Sequence, residues 1–103
     1  MKQSKYFNDS KRWAFREYLC ALKKKSTALS YMSALSKDSF VSEIAESKYS
    51  VPDIFENVDI SILNSLYKDV VKDKRNIVGH SRYSAALSFY ITYLNKTRNN
   101  EKM

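Results

Sequence analysis

A chain of 103 residues with a net charge of +7 is long enough for one hydrophobic core and too short for two. Hydrophobic residues make up 44% of it, yet one Gly and one Pro are too few for the turns of a β-sandwich or the glycine loop of a Rossmann or P-loop nucleotide site. One Cys and one His exclude a structural zinc site and a disulfide framework, and no apolar run nears the roughly 18 residues of a membrane span.

Four segments carry helical periodicity. In the first, about 9–25, Phe15, Tyr18, Leu19 and Leu22 recur at the spacing of a buried stripe, Asp9 or Ser10 is placed to cap the start, and Lys23, Lys24 and Lys25 fall in the last turn. Cys20 lies off the stripe and reads as a surface thiol. Ser26 reads as the N-cap of a second helix, about 27–37, with Ala28, Tyr31, Met32 and Leu35 inward. Carrying that helix past Lys37 would turn Phe40, Val41 and Ile44 to the wrong side, so a break at 37–39 and a short helix over 39–47 are expected. The stretch 47–58 contains Pro52 and reads as a loop anchored by Ile54 and Phe55. Asp59 caps a helix over 60–74 with Leu63, Leu66, Tyr67, Val70 and Val71 as its stripe, and Val58 and Leu63 stand at hydrophobic-staple positions. Lys74, Arg75, Asn76 and Gly79 mark a turn. Ser81 then opens a last helix, 82–96, with Tyr83, Ala86, Leu87, Tyr90, Ile91 and Leu94 inward. The expected fold is all-α: a bundle of four main helices with a short extra one over residues 9–96, between an N-terminal arm (1–8) and a polar tail (97–103).

The charge is sorted along the chain. Residues 1–37 hold nine Lys/Arg and two Asp/Glu, 38–59 hold one Lys and six acids, and 60–103 hold eight Lys/Arg and three acids. Basic ends around an acidic middle suggest a molecule with one strongly positive side.

Catalysis finds little support. His80 has no nucleophile or orienting carboxylate in a neighbouring motif, and fits better as a phosphate contact or helix cap. Glu43 and Glu46 have no further ligand cluster to join and read as solvated helix surface. No metal, cofactor or small-molecule substrate is expected. The outer faces are more informative. Ser26, Ser30, Ser33 and Lys37 lie opposite the core stripe of the second helix, and Ser81, Ser84, Ser88 and Thr92 do the same on the last. Short hydroxyl side chains allow close approach and donate to phosphates and base edges. Lys23, Lys24 and Lys25 precede one face, and Lys72, Lys74, Arg75 and Arg82 surround the start of the other. A serine-rich surface used for helix packing, or for nothing, is the plainer alternative. Trp13 projects from the first helix beside Arg16, either packed under the arm with Tyr6 or Phe7 or presented to a protein partner.

The order Phe15-Arg16-Glu17-Tyr18-Leu19, then Ser26-Thr27 with Tyr31 and Leu35, then Tyr83-Ser84-Ala85-Ala86-Leu87 with Phe89, Tyr90 and Tyr93-Leu94 resembles the SAM-like N-terminal (core-binding) domain of phage integrases and other tyrosine recombinases. It is also similar to helical modules that precede restriction-type nuclease domains. The resemblance covers about residues 11–95 and rests on aromatic and leucine spacing. It implies a four-helix domain that grips DNA as half of a clamp, with Lys25, Ser26, Thr27, Ser30 and Lys37 on one helix and Ser81, Arg82, Ser84 and Ser88 on the other. The recombinase catalytic domain is absent, so none of the eight tyrosines is expected to be a nucleophile. The acidic stretch 38–59 is longer than the connection such an arm carries. The expectation is therefore a non-catalytic, cytoplasmic DNA-binding module that avoids membranes, contacting phosphates through Lys23, Lys24, Lys25, Ser26, Thr27, Ser30, Lys37, Lys74, Arg75, His80, Ser81, Arg82, Ser84 and Ser88. The alternative is a small protein-interaction module, of phage or mobile-element type, that uses Trp13 and Arg16.

Overall fold

The structure is a computed structural model that describes residues 9–36, 39–55 and 58–101, with side chains placed from Lys11 to Thr97 within those spans. Among them are six helices and no strand: α1 (Asp9–Leu22), α2 (Lys25–Ala34), α3 (Phe40–Tyr49), α4 (Ile60–Val71), α5 (Lys74–Val78) and α6 (Arg82–Glu101). The all-α expectation holds. The N-terminal arm and Lys37 lie outside the described residues.

The apolar stripes do what their spacing requires. Phe15, Leu19, Ala28, Leu35, Val41, Leu63, Val70, Ala86 and Leu87 are fully buried, and α6 packs against α4, α2, α1 and α5 in turn. Each large side chain so buried contributes roughly 1.5–3 kcal/mol against chain ordering. The middle of the core is aromatic: the Phe15 ring meets Tyr90 edge-on at 5.0 Å, and Tyr90 meets Phe55 at 4.9 Å. Ile54 and Phe55 tuck in as expected, and the Tyr90 hydroxyl donates to the Ile54 carbonyl at 2.8 Å, tying the loop after α3 to α6.

Several boundaries depart from the periodicity. α1 stops at Leu22, which is 52% exposed rather than part of the stripe, while Cys20 is half-buried against the core. Asp9 and Ser10 belong to α1, and the cap expected of them falls outside the described side chains. α2 starts at Lys25 behind Lys24, so Ser26 sits in its first turn and is not the N-cap. Ser39 is the N-cap of α3, its Oγ accepting from the Val41 amide, and α3 runs on to Tyr49. α4 ends at Val71, leaving that side chain exposed. The expected turn at 74–79 contains the short helix α5, and α6 continues to Glu101, through what reads as a tail.

α5 is braced on every side. Asp73 accepts the Arg75 amide at its start. At its end the Ser81 amide bonds Asn76 O and the His80 amide bonds Ile77 O, a Schellman closure with His80 in the left-handed conformation (φ 57°) where glycine is usual. Gly79 has an ordinary φ of −84°. Its lack of a side chain serves space, since a Cβ there would stand 2.8 Å from Tyr83 Cε2. Asn76 is buried. Its Nδ2 donates to Ser84 Oγ at 3.1 Å and its Oδ1 accepts the Ser84 amide at 3.0 Å, which caps α6 from a neighbouring helix.

Candidate nucleic-acid interface

α2 and α6 lie against each other through Tyr31 and Phe89, whose ring centroids are 5.5 Å apart, and Lys23 Nζ stands 5.2 Å over the outer part of that contact on Phe89. Further along, Arg82 reaches across from the first turn of α6, its Nη1 3.5 Å from Ser30 Oγ on α2. The two helices predicted to share a face are therefore neighbours. Lys23, Lys24, Lys25 and Ser26 are exposed at the α1–α2 turn, with Thr27 and Ser30 half-buried beside them. Ser81, Ser88 and His80 are exposed on the α6 side.

Ser84 leaves this set. It is 7% exposed, its hydroxyl donates to the Ser81 carbonyl and accepts from Asn76, and it faces α5 rather than solvent. Arg75 is exposed but its charge is answered: Nη2 and Nε lie 2.9 and 3.0 Å from the Asp73 carboxylate, and Glu43 is 3.7 Å from Nη1. The pairing with Arg75 holds the Asp73 carboxyl below the usual carboxylate range and raises the guanidinium further. Lys74 is exposed on the same short helix, and Lys37 is not among the described residues.

A ladder of stacked groups, invisible in the sequence, fixes Arg82. Arg75 lies 4.5 Å over the Phe40 ring, Phe40 is 4.6 Å from the Tyr83 ring, and Arg82 lies 4.8 Å over Tyr83 with Nη2 donating to its hydroxyl at 2.8 Å. Residues 40, 75 and 83 come from three helices, so no local spacing announces the ladder. Each guanidinium–ring contact is worth about 0.5–1 kcal/mol at such half-exposed sites.

Some of the molecule's cations are compensated and others are not: besides the α2–α6 set, Lys68, Lys74 and Lys96 have no carboxylate within 4.0 Å among the described residues. On the α3–α4 side, Lys48 and Lys72 lie 3.0 and 3.8 Å from Asp69, which also accepts the Tyr49 hydroxyl. The bonds from Tyr49 and Lys48 keep the Asp69 carboxyl below its ordinary range, and Tyr49 and Lys48 are raised in return. On the α2–α6 side, among the described residues, no carboxylate stands within 4.0 Å of Lys23, Lys24, Lys25 or Arg82. Arg82 Nε is buried with no hydrogen-bond partner there. The helix ends differ too. α6 has its Arg82 and Ser84 amides bonded to Gly79 O and Asn76 Oδ1, whereas α2 has no side-chain cap and no acid in its first turn. The positive end of α2 thus adds to the lysines around it.

Trp13 is 57% exposed on α1, with the Arg16 guanidinium 4.5 Å over its ring and Arg16 Nη1 3.3 Å from Glu17. Contacts of Trp13 with Tyr6 or Phe7 fall outside the described residues. Among those residues no group of three His, Cys, Asp or Glu could hold a metal ion, and no helix is long and apolar enough to cross a membrane. Comparison of the chain with models of protein families, with curated proteins and with solved structures gives no match in any of the three.

Proposed function

We propose that this protein is a non-catalytic DNA-binding module that grips the duplex backbone with the α1–α2 turn and the first turn of α6. The observation that carries the reading is the set Lys23, Lys24, Lys25 and Arg82. Four cations lie at the α1–α2 turn and the start of α6, flanking the contact between α2 and α6, without acidic partners among the described residues, while Lys48, Lys72 and Arg75 elsewhere have them. A polyanion supplies what these groups lack, and releasing its counterions drives the association. Ser26, Ser30, Ser81 and Ser88 would add neutral donors, and His80 and Lys74 would extend the contact towards α5. Few bidentate base contacts are available from such a set, so sequence preference should be weak. Helices α1, α2, α3, α4 and α6, each of ten residues or more, surround one core, with α3 as long as α2 rather than a short extra helix, and we extend the proposal to a relationship with the SAM-like core-binding domains of recombinases.

Titrating a labelled duplex at several salt concentrations tests the reading. Four phosphate contacts correspond to a slope of log K against log salt of about −4. Affinity indifferent to salt would remove it. A second reading, a protein-interaction module, is favoured by the exposed Trp13 with Arg16 stacked on it, since Trp and Arg are enriched among interface anchors. A stoichiometric partner retained from nuclease-treated lysate and lost with Trp13→Ala would support that reading.

A further inference from the structure

Two features at opposite ends of α4 take no part in the four-cation set that carries the DNA reading. At its C-terminal end, α5 holds Ile77 and Val78 out in solvent, 64% and 79% exposed, more than any other large hydrophobic side chain described. Lys74 lies one turn earlier on the same face of α5 and has no ion pair among the described residues. The acid beside it, Asp73, is neutralised by Arg75. This knob is rigid, because α5 is capped at both ends and stapled to α6 through Asn76. At the N-terminal end of α4 lies a groove of about 350 Å³ between the end of α3 and the start of α4. Its walls include Val51, Pro52, Val58 and Ile62, and its rim carries Asp53 and Asp59. Asp59 is exposed and makes no cap hydrogen bond although it stands in the N-cap position.

We infer that the knob of one copy docks in the groove of the next, so that the chain associates head to tail. The two surfaces complement each other in both respects that matter: aliphatic side chains meet apolar walls, and the Lys74 ammonium meets the exposed Asp59, with Asp53, whose Oδ1 accepts the Phe55 amide, beside it. The twelve residues of α4 separate them by about 18 Å. With knob and groove at opposite ends of α4, the inferred arrangement is an open chain in which each copy uses its knob on one neighbour and its groove on another; a reciprocal pair of contacts would instead close as a dimer. The patch is small and must offset the lost rotational and translational freedom of each copy, so self-association should be weak. The inference rests on none of Lys23, Lys24, Lys25 or Arg82; it shares only Lys74 with the outer edge of the proposed DNA contact, so association is measured without nucleic acid and can fail or hold apart from that reading.

Sedimentation equilibrium of the nucleic-acid-free full chain over a concentration series tests it. The wild type should gain mass continuously past the dimer. Ile77→Gln with Val78→Gln, which removes the knob, and Pro52→Lys, which blocks the groove, should each stay monomeric. An equimolar mixture of the two variants retains one intact knob and one intact groove, and should stop at the dimer. All three positions are exposed, so circular dichroism should show unchanged helix content. Should the knob variant unfold, Lys74→Glu replaces it and should weaken association at least several-fold. A wild type that remains monomeric, that levels off at a dimer, or variants whose mixture stays monomeric would overturn the inference.

Discussion

The Tyr90 hydroxyl is carried into the interior by a side chain only 2% exposed, where it donates to the Ile54 carbonyl. Removing it leaves that carbonyl without its donor while the ring still packs between Phe15 and Phe55. Tyr90→Phe should cost about 1–2 kcal/mol. Thermal melting would show this as a fall of several degrees in Tm, and an unchanged Tm would mean that the bond is not made. His80 presents the opposite case. A non-glycine residue in the left-handed region costs about 1 kcal/mol, and its side chain is exposed and has no hydrogen bond among the described contacts. His80→Gly should raise stability by about 0.5–1 kcal/mol, the relief being partly offset by the greater freedom of glycine in the unfolded chain. A loss of stability in the same melt would show that the imidazole makes a contact worth more than the strain.

Elements reveal why some of the fold was legible in the sequence and some was not. The stripes Phe15–Leu19, Ala28–Met32–Leu35, Leu63–Leu66–Val70 and Ala86–Leu87–Tyr90 are local patterns, and each is buried as its spacing demands. Boundaries depend on partners distant in sequence. α5 has five residues, too few to show a period, and it forms because Asp73 caps it and Asn76 is held by Ser84 eight residues on. The same bond explains why Ser84, on the apparent outer face of α6, is turned inward. The clasp between α3 and α4 is equally non-local: Lys48 and Tyr49 reach Asp69 from some twenty residues away.

That clasp makes the stability depend on pH. The Asp69 carboxyl is held below its ordinary value of 3.8, chiefly by the Tyr49 hydroxyl and then by Lys48. A depressed carboxylate stabilises the fold fully above its unfolded value, and the contribution is lost as pH falls through the folded one. Asp73 acts in the same sense through Arg75. Urea midpoints of the wild type should therefore drop between about pH 5 and pH 3. Asp69→Asn should start lower and fall less steeply across that window. Parallel curves would show that the clasp is not formed in solution.

On the scale of the whole molecule, the excess of positive charge is sorted rather than spread. The sequence revealed the sorting along the chain, with acids concentrated in 38–59, but not which acids reach cations, as Glu43 of that stretch reaches Arg75. In the fold, Asp69, Asp73 and Glu43 answer Lys48, Lys72 and Arg75, so Arg75 loses its place among the free cations and Arg82 keeps its own. The two hydroxyl-rich faces were legible in the sequence, and the Tyr31–Phe89 and Arg82–Ser30 contacts are what bring α2 and α6 together.

Lys24 and Lys25 are exposed and make no described contact with the core, so replacing both with Gln removes charge while leaving the fold intact. The salt dependence of duplex affinity, compared between the wild type and this double variant, bears directly on the proposed backbone grip. Each lost phosphate contact should flatten the slope of log K against log salt by about 0.9, so the variant should be shallower by about 2 and bind more weakly at every salt concentration. Equal slopes for the two proteins would contradict the account.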